Sequence, residues 1–251
     1  MRKIQLVLVA LIVLILSAFK ADHVITIYMI GDSTMSNKPL EGNNQERGWG
    51  HVLGSFFTED VRVENHAMNG RSSKSFIDEG RWETVVNKIR PGDYVFIQFG
   101  HNDEKPQPER HTDPGTTFDE NLRKFVRETR AKGGIPVLFN SIVRRNFGVN
   151  PDAVAADDIR PEKDEAVVEG DTLIDTHGKY LESPRNVAKE MDVCFIDLNQ
   201  ATKKLVESYG VEGSKKLFMW IPADTYAACP KGRQDNTHLN LSLIHISEPT
   251  R

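Results

Sequence analysis

Five short, predominantly apolar runs constrain the fold of this chain more than any other feature. They cover residues 24–30 (V-I-T-I-Y-M-I), 61–63, 94–99 (Y-V-F-I-Q-F), 135–139 and 193–198. All are rich in β-branched or aromatic residues and too short for a helix, so each is read as a strand. Apart from residues 61–63 (V-R-V), they lack polar–apolar alternation, which means that both faces of the sheet are covered, the habit of parallel sheets. Between them, residues 49–57, 82–89, 118–131 and 184–190 carry apolar residues at helical spacing. The third of these ends at Gly133-Gly134, a helix stop. Strands alternating with helices predict an α/β domain in three layers, α/β/α, around a five-stranded parallel sheet.

The chain has 251 residues, 39% hydrophobic and 27% charged, which suits one globular domain with a substantial core. Its first 21 residues stand apart. Arg2 and Lys3 precede an apolar run over residues 4–16 that exits through Ser17 and Ala18. That is the build of a secretory signal peptide, and the run is short for a membrane span. The expectation is a secreted or periplasmic protein cleaved between Ala18 and Ala21. Without the leader, 29 basic residues face 36 acidic ones, a formal charge of −7. An acidic surface argues against nucleic acid or anionic membrane as the main partner. The two cysteines, Cys194 and Cys229, leave the question of a disulfide open.

The final eleven residues, L-S-L-I-H-I-S-E-P-T-R over 241–251, resemble translated sequencing-adapter read-through rather than protein. They are read as a non-native tail, and the domain is taken as 22–240. Residues 144–180 include a charged stretch, D-D-I-R-P-E-K-D-E, expected to lie as a surface insertion.

In open α/β sheets, ligands bind beyond the carboxyl ends of the strands. Four polar clusters fall at such ends or near the C-terminus: Gly31-Asp32-Ser33-Thr34, residues 65–72 (N-H-A-M-N-G-R-S), Gly100-His101-Asn102-Asp103, and Asp235-Asn236-Thr237-His238. A serine hydroxyl needs a neighbouring base to become a useful nucleophile. His238 is suited to that role if Asp235, three positions earlier and expected on the same side of a helical turn, fixes its tautomer. Acyl transfer also needs donors for the developing oxyanion. The backbone N–H groups of Ser33 and Gly70 and the side-chain amide of Asn102 are available. Taken singly, each cluster suits a structural role: Ser33 a helix cap, Gly70 and Asn102 turns, Asp235 and His238 a surface pair. Only their joint occurrence in order carries weight. His66, His111 and His177 lack metal-ligand spacing, and no metal is expected.

These residues in this order resemble the SGNH (GDSL) hydrolases, whose fold is flavodoxin-like. The blocks G-D-S-T-M, N-H-A-M-N-G-R-S-S-K-S-F, Q-F-G-H-N-D-E-K, D-T-H-G-K-Y and D-N-T-H-L-N are similar to the rhamnogalacturonan acetylesterase branch. The resemblance spans about residues 24–240. It implies a serine esterase, without metal or organic cofactor, that removes acetyl groups from an acetylated polysaccharide of pectin. Ser33, Asp235 and His238 are then catalytic, and Ser33, Gly70 and Asn102 form the oxyanion hole. His101 and Asp103 are expected to hold their loop. The family normally continues past the histidine into a further helix, which this sequence does not contain. Other ester specificities on the same scaffold, or a non-catalytic carbohydrate-binding protein, are the rival readings.

Overall fold

The computed structural model describes residues 24–148 and 172–241. The expected leader, most of the charged insertion and residues 242–251 lie outside that range. Among the described residues no helix is long and apolar enough to cross a membrane.

A five-stranded, wholly parallel sheet forms the centre. It is built from β1 (Ile25–Gly31), β3 (Val61–Asn65), β4 (Tyr94–Gln98), β5 (Ile135–Phe139) and β6 (Cys194–Ile196), in spatial order β3-β1-β4-β5-β6. From β1 the chain goes first to one side and then to the other. This reversal leaves a crevice at the carboxyl ends of β1 and β4.

Pleating sends alternate residues to opposite faces. Tyr28, Ile30, Val95, Ile97, Phe99 and Leu138 form one face, packed against α1 (Ser73–Asp78), α2 (Arg81–Val86), α3 (Thr117–Ala131) and α4 (Glu182–Met191). Phe125 of α3 is fully buried there, stacked on Phe99 at 5.6 Å and edge-on to Trp82 at 5.0 Å. Ile27 and Met29 of β1 form the other face with Trp49, Leu53, Val61, Val63 and Phe96. A third cluster packs α5 (Leu198–Gly213) against Ile142, Phe147 and a small second sheet. The α/β/α layering and the five parallel strands are as the sequence predicts.

The departures have local causes. Residues 49–57 form two 3-10 turns, Trp49–His51 and Leu53–Phe56, instead of one helix. Gly48, Gly50 and Gly54 weaken helix formation, and Gly50 is pressed so close to Met29 and Met35 that no side chain fits. The fifth strand stops at Ile196 because Asp197 leaves the sheet to cap α5, its Oδ1 accepting from the Gln200 N–H at 3.0 Å. α5 itself escapes detection because it buries only Val206 fully and so has a weak apolar stripe. Cys194 is exposed on β6, and neither it nor Cys229 is in a disulfide.

The second sheet was not anticipated. Antiparallel β2 (Glu46–Arg47), β8 (Arg233–Asn240) and β7 (Phe218–Ile221) pair in that order. The 235–238 segment is therefore part of a strand and not a helical turn, a correction with consequences for the site.

Truncation of Phe125 to alanine removes a ring that bridges strand and helix. The expected cost is about 3–5 kcal/mol in urea unfolding, with ester cleavage per folded molecule retained.

Candidate active site

β1 ends at Gly31, and the chain turns sharply to present Ser33. Asp32 organises this turn: its backbone carbonyl accepts from Ser36 N–H at 3.1 Å, and its Oδ1 from the Thr34 N–H and hydroxyl at 2.9 and 2.7 Å. Burial pushes the Asp32 carboxyl up, against the pull of those Thr34 hydrogen bonds. Gln98, the lone polar residue within the third apolar run, is fully buried beneath the turn. Its amide donates to Thr34 Oγ1 at 3.0 Å and its Oε1 accepts from Trp49 Nε1 at 2.7 Å. Gln98 thus ties the Ser33 loop to two elements. The signal for it was present in the sequence, as a polar residue where the strand has no solvent to face.

Asp235 and His238 reach Ser33 from the second sheet through an irregularity. On β7, Met219 pairs with Asp235 while the adjacent Phe218 pairs with Leu239. Three residues of β8 are thus looped out against β7. Asp235 Oδ1 closes the loop by accepting from the Thr237 and His238 N–H groups at 2.7 and 3.0 Å. Asn236 pins it from outside, its carbonyl accepting from Arg145 N–H at 2.8 Å and its Oδ1 from Trp220 Nε1 at 2.8 Å.

The bulge swings the imidazole back over its own carboxylate. His238 Nδ1 lies 2.7 Å from Asp235 Oδ2, and His238 Nε2 lies 2.9 Å from Ser33 Oγ. Ser33, His238 and Asp235 are therefore joined in one hydrogen-bonded line, although 205 positions separate the first two. With Nδ1–H donating to the carboxylate, Nε2 is free to accept the serine proton. Burial alone would raise the Asp235 carboxyl. The hydrogen bond and charge of His238, the Arg233 guanidinium and the Thr237 N–H outweigh it and hold the carboxyl at about 2.

The two remaining loops meet beside this line. Gly70 adopts φ +74°, a left-handed conformation open to glycine at little cost. Its neighbour Asn69 accepts from Ser36 Oγ at 2.6 Å, and Met68 N–H donates to the Gly31 carbonyl at 3.0 Å, which fastens this loop to the Ser33 turn. Asn102 is buried and donates from Nδ2 to the Arg71 carbonyl at 3.2 Å, while its Oδ1 accepts from Arg110 at 3.3 Å. The amide nitrogen thereby faces the Gly70–Arg71 segment with a second hydrogen to spare.

Asp103 fastens the Asn102 loop to the start of α1. It accepts from Gly100 N–H at 3.1 Å, from Ser73 N–H at 3.0 Å and from the Ser73 and Thr112 hydroxyls. Burial pushes its carboxyl up to about 7 against those hydrogen bonds. His101 is buried with its ring edge-on to His177 at 4.5 Å, and burial pushes it well below the usual imidazole range. His66, His111 and His177 stand apart, on Glu64, on the Lys105 carbonyl, and on Glu104 and the Ile142 carbonyl respectively.

The GDSL-like lipase/acylhydrolase family matches residues 29–240 of this sequence. This chain belongs to that family. It is accordingly a carboxylic ester hydrolase on an SGNH fold. It is 39% identical over 216 residues to the rhamnogalacturonan acetylesterase RhgT of Bacillus subtilis, covering 86% of this chain and 83% of that protein. The probable rhamnogalacturonan acetylesterase YesY of the same organism is 31% identical over 219 residues, covering 87% and 85%. The crystal structure of B. subtilis YxiM superposes with a TM-score of 0.65 at 26% identity, over 89% of this chain. The chain spans about half, 55%, of that solved chain.

A depressed Asp235 has a definite pH signature. Its ionised form stabilises the fold fully above the unfolded value near 4, and that contribution is lost as pH falls through about 2. The expected loss is about 2 kcal/mol in urea unfolding between pH 5 and pH 2. The drop should be smaller by that amount in Asp235→Asn, measured over the same range.

Proposed function

We propose that this protein removes O-acetyl groups from acetylated rhamnogalacturonan by way of an acetyl-enzyme on Ser33. The observation that carries the reading is the unbroken line Ser33 Oγ, His238, Asp235, at 2.9 and 2.7 Å. The substrate class is supported by the names borne by RhgT and YesY.

The steps follow from the atoms in place. Ser33 Oγ attacks the acetyl carbonyl carbon as its proton passes to His238 Nε2. Asp235 holds the resulting imidazolium through Nδ1–H. The carbonyl oxygen takes up negative charge and is met by the Ser33 and Gly70 N–H groups and the Asn102 amide. The carbon–oxygen bond to the sugar breaks, and the sugar hydroxyl leaves with the proton from His238. Water then attacks the acetyl-serine with His238 again as base, acetate departs, and Ser33 recovers its proton.

The same reading makes the protein an exported one. The Arg2-Lys3 start, the apolar run and the small residues at 17, 18 and 21 support removal of a leader.

Acetate release measured side by side on acetylated rhamnogalacturonan, acetylated xylan and a small aryl acetate tests the assignment. The first should exceed the second by kcat/KM, and xylan matching it would overturn the substrate class. Ser33→Ala should lose several orders of magnitude in kcat with its melting temperature unchanged. Activity within tenfold of the parent would remove Ser33 from the mechanism.

For Asn102→Ala the expected loss is about 10²–10³ in kcat with little change in KM, as for deletion of one oxyanion donor. A raised KM at unchanged kcat would instead make Asn102 a substrate-binding group.

A further inference from the structure

β8 carries one more side chain aimed at the Asp235 carboxylate. Arg233 donates from Nη2 to Asp235 Oδ2, the same oxygen that faces His238 Nδ1–H, and this nitrogen lies 3.3 Å from His238 Nδ1. Arg233 Nη1 donates to Glu46 Oε2 of β2 at 2.6 Å. The other Glu46 oxygen meets Lys38 Nζ at 2.7 Å, and Lys38 Nζ also donates to Asn69 Oδ1 at 2.5 Å, one residue before Gly70. Four charges of alternating sign, Lys38, Glu46, Arg233 and Asp235, thus run from the loop bearing Gly70 to the carboxylate behind His238.

The Lys38–Glu46–Arg233 part of this row adds little net stability to the fold. Lys38 and Asp235 are almost wholly buried, at 2% and 0% side-chain exposure, with Glu46 at 13% and Arg233 at 27%. Ion pairs so far from water recover little more than the cost of desolvating them. Burial alone lowers the Lys38 ammonium, and Glu46 pulls it back. Burial raises Glu46, yet His238, Lys38 and Arg233 hold it below the usual carboxylate range.

The row has a direct consequence for the base. A lone buried carboxylate beside an imidazole favours the protonated ring. A permanent cation on the same oxygen offsets that attraction. Among the described residues, the charged and titratable groups facing His238 are Asp235 and Arg233 from its own strand, Glu46 from β2, Asp32 from the segment after β1 and His101 from the loop after β4, while Lys38 acts on Glu46 and Asp32.

We propose that Arg233, braced by Glu46 and Lys38, is a positioning residue that fixes the Asp235 carboxylate and sets how readily His238 gives up its proton. This rests on the reading of Ser33 and His238 as nucleophile and base. Row and bulge act together: the Asp235 carboxylate is held on one oxygen by backbone N–H groups and on the other by the guanidinium.

The test is the acid limb of the pH–rate profile on a small neutral aryl acetate, with His238 titrated by NMR in the Ser33→Ala background. Removing the cation in Arg233→Met should move both curves up by about one pH unit. Plateau kcat should fall roughly tenfold as the carboxylate loses its anchor. Removing the anion in Glu46→Gln should move both curves down. The double variant should lie between the two, and Arg233→Lys should return the limb most of the way to the parent. Limbs that superimpose on the parent's, or that move the same way in both single variants, would overturn the proposal. If Arg233→Met does not fold, Glu46→Gln decides it alone: a downward shift supports the role, and an unmoved limb overturns it. A fully active Ser33→Ala would instead sink the underlying reading. An inactive Ser33→Ala with unmoved limbs sinks only this one.

Discussion

The Asp235 carboxylate is stripped of water, and a buried charge of this kind must be met by donors or it will not stay ionised. The architecture around it supplies them from close at hand. The β8 bulge exists in a form that turns the Thr237 and His238 N–H groups onto one carboxylate oxygen. The other oxygen takes the imidazole and the Arg233 guanidinium. One side chain therefore fixes the backbone of the bulge and the orientation of the ring, and the 2.9 Å approach of His238 to Ser33 follows from both.

Asp103 is an interior carboxylate of another kind. It takes its donors from Gly100, Ser73 and Thr112, each on a different segment, and so welds the loop after β4 to the start of α1 and to the stretch before α3. Burial pushes the Asp103 carboxyl up to about 7, whereas the partners of Asp235 outweigh its burial and hold it at about 2. The contrast is one of partners. Asp103 is met by neutral hydroxyls and amides, whereas Asp235 has a guanidinium and an imidazole, whose charge outweighs desolvation. The first arrangement suits a joint and the second suits proton transfer.

Much of this was legible in the sequence, for a simple reason. Strands buried on both faces must be apolar throughout, so β1, β4 and β5 announce themselves. Carboxyl ends in a parallel sheet have a fixed relation to the cleft, so Ser33 and Asn102 are located once the strands are. Gln98 was visible only as an exception within its run. Elements that are half exposed gave weaker signals: α5 buries a single residue fully, and β2 has two residues in all. The 3-10 turns at 49–56 were misread because apolar spacing does not register how tightly Gly50 must pack against Met29 and Met35.

By itself the sequence determined the layer architecture, the loops that face the cleft and the residue types able to cleave an ester, because these depend on local periodicity and composition. The tertiary structure decided which of those residues meet. The D-x-x-H spacing is equally compatible with a helical turn, and only the pairing of β8 with β7 and β2 makes it a bulged strand. Nothing along the chain sets Arg233, Glu46 and Lys38 apart from its other charged residues. They become a largely buried row beside His238 only when β2, β8 and the segment after β1 close on one another. A charge acquires its effect from the distance and dielectric of its surroundings, and neither is written at a single position in the sequence.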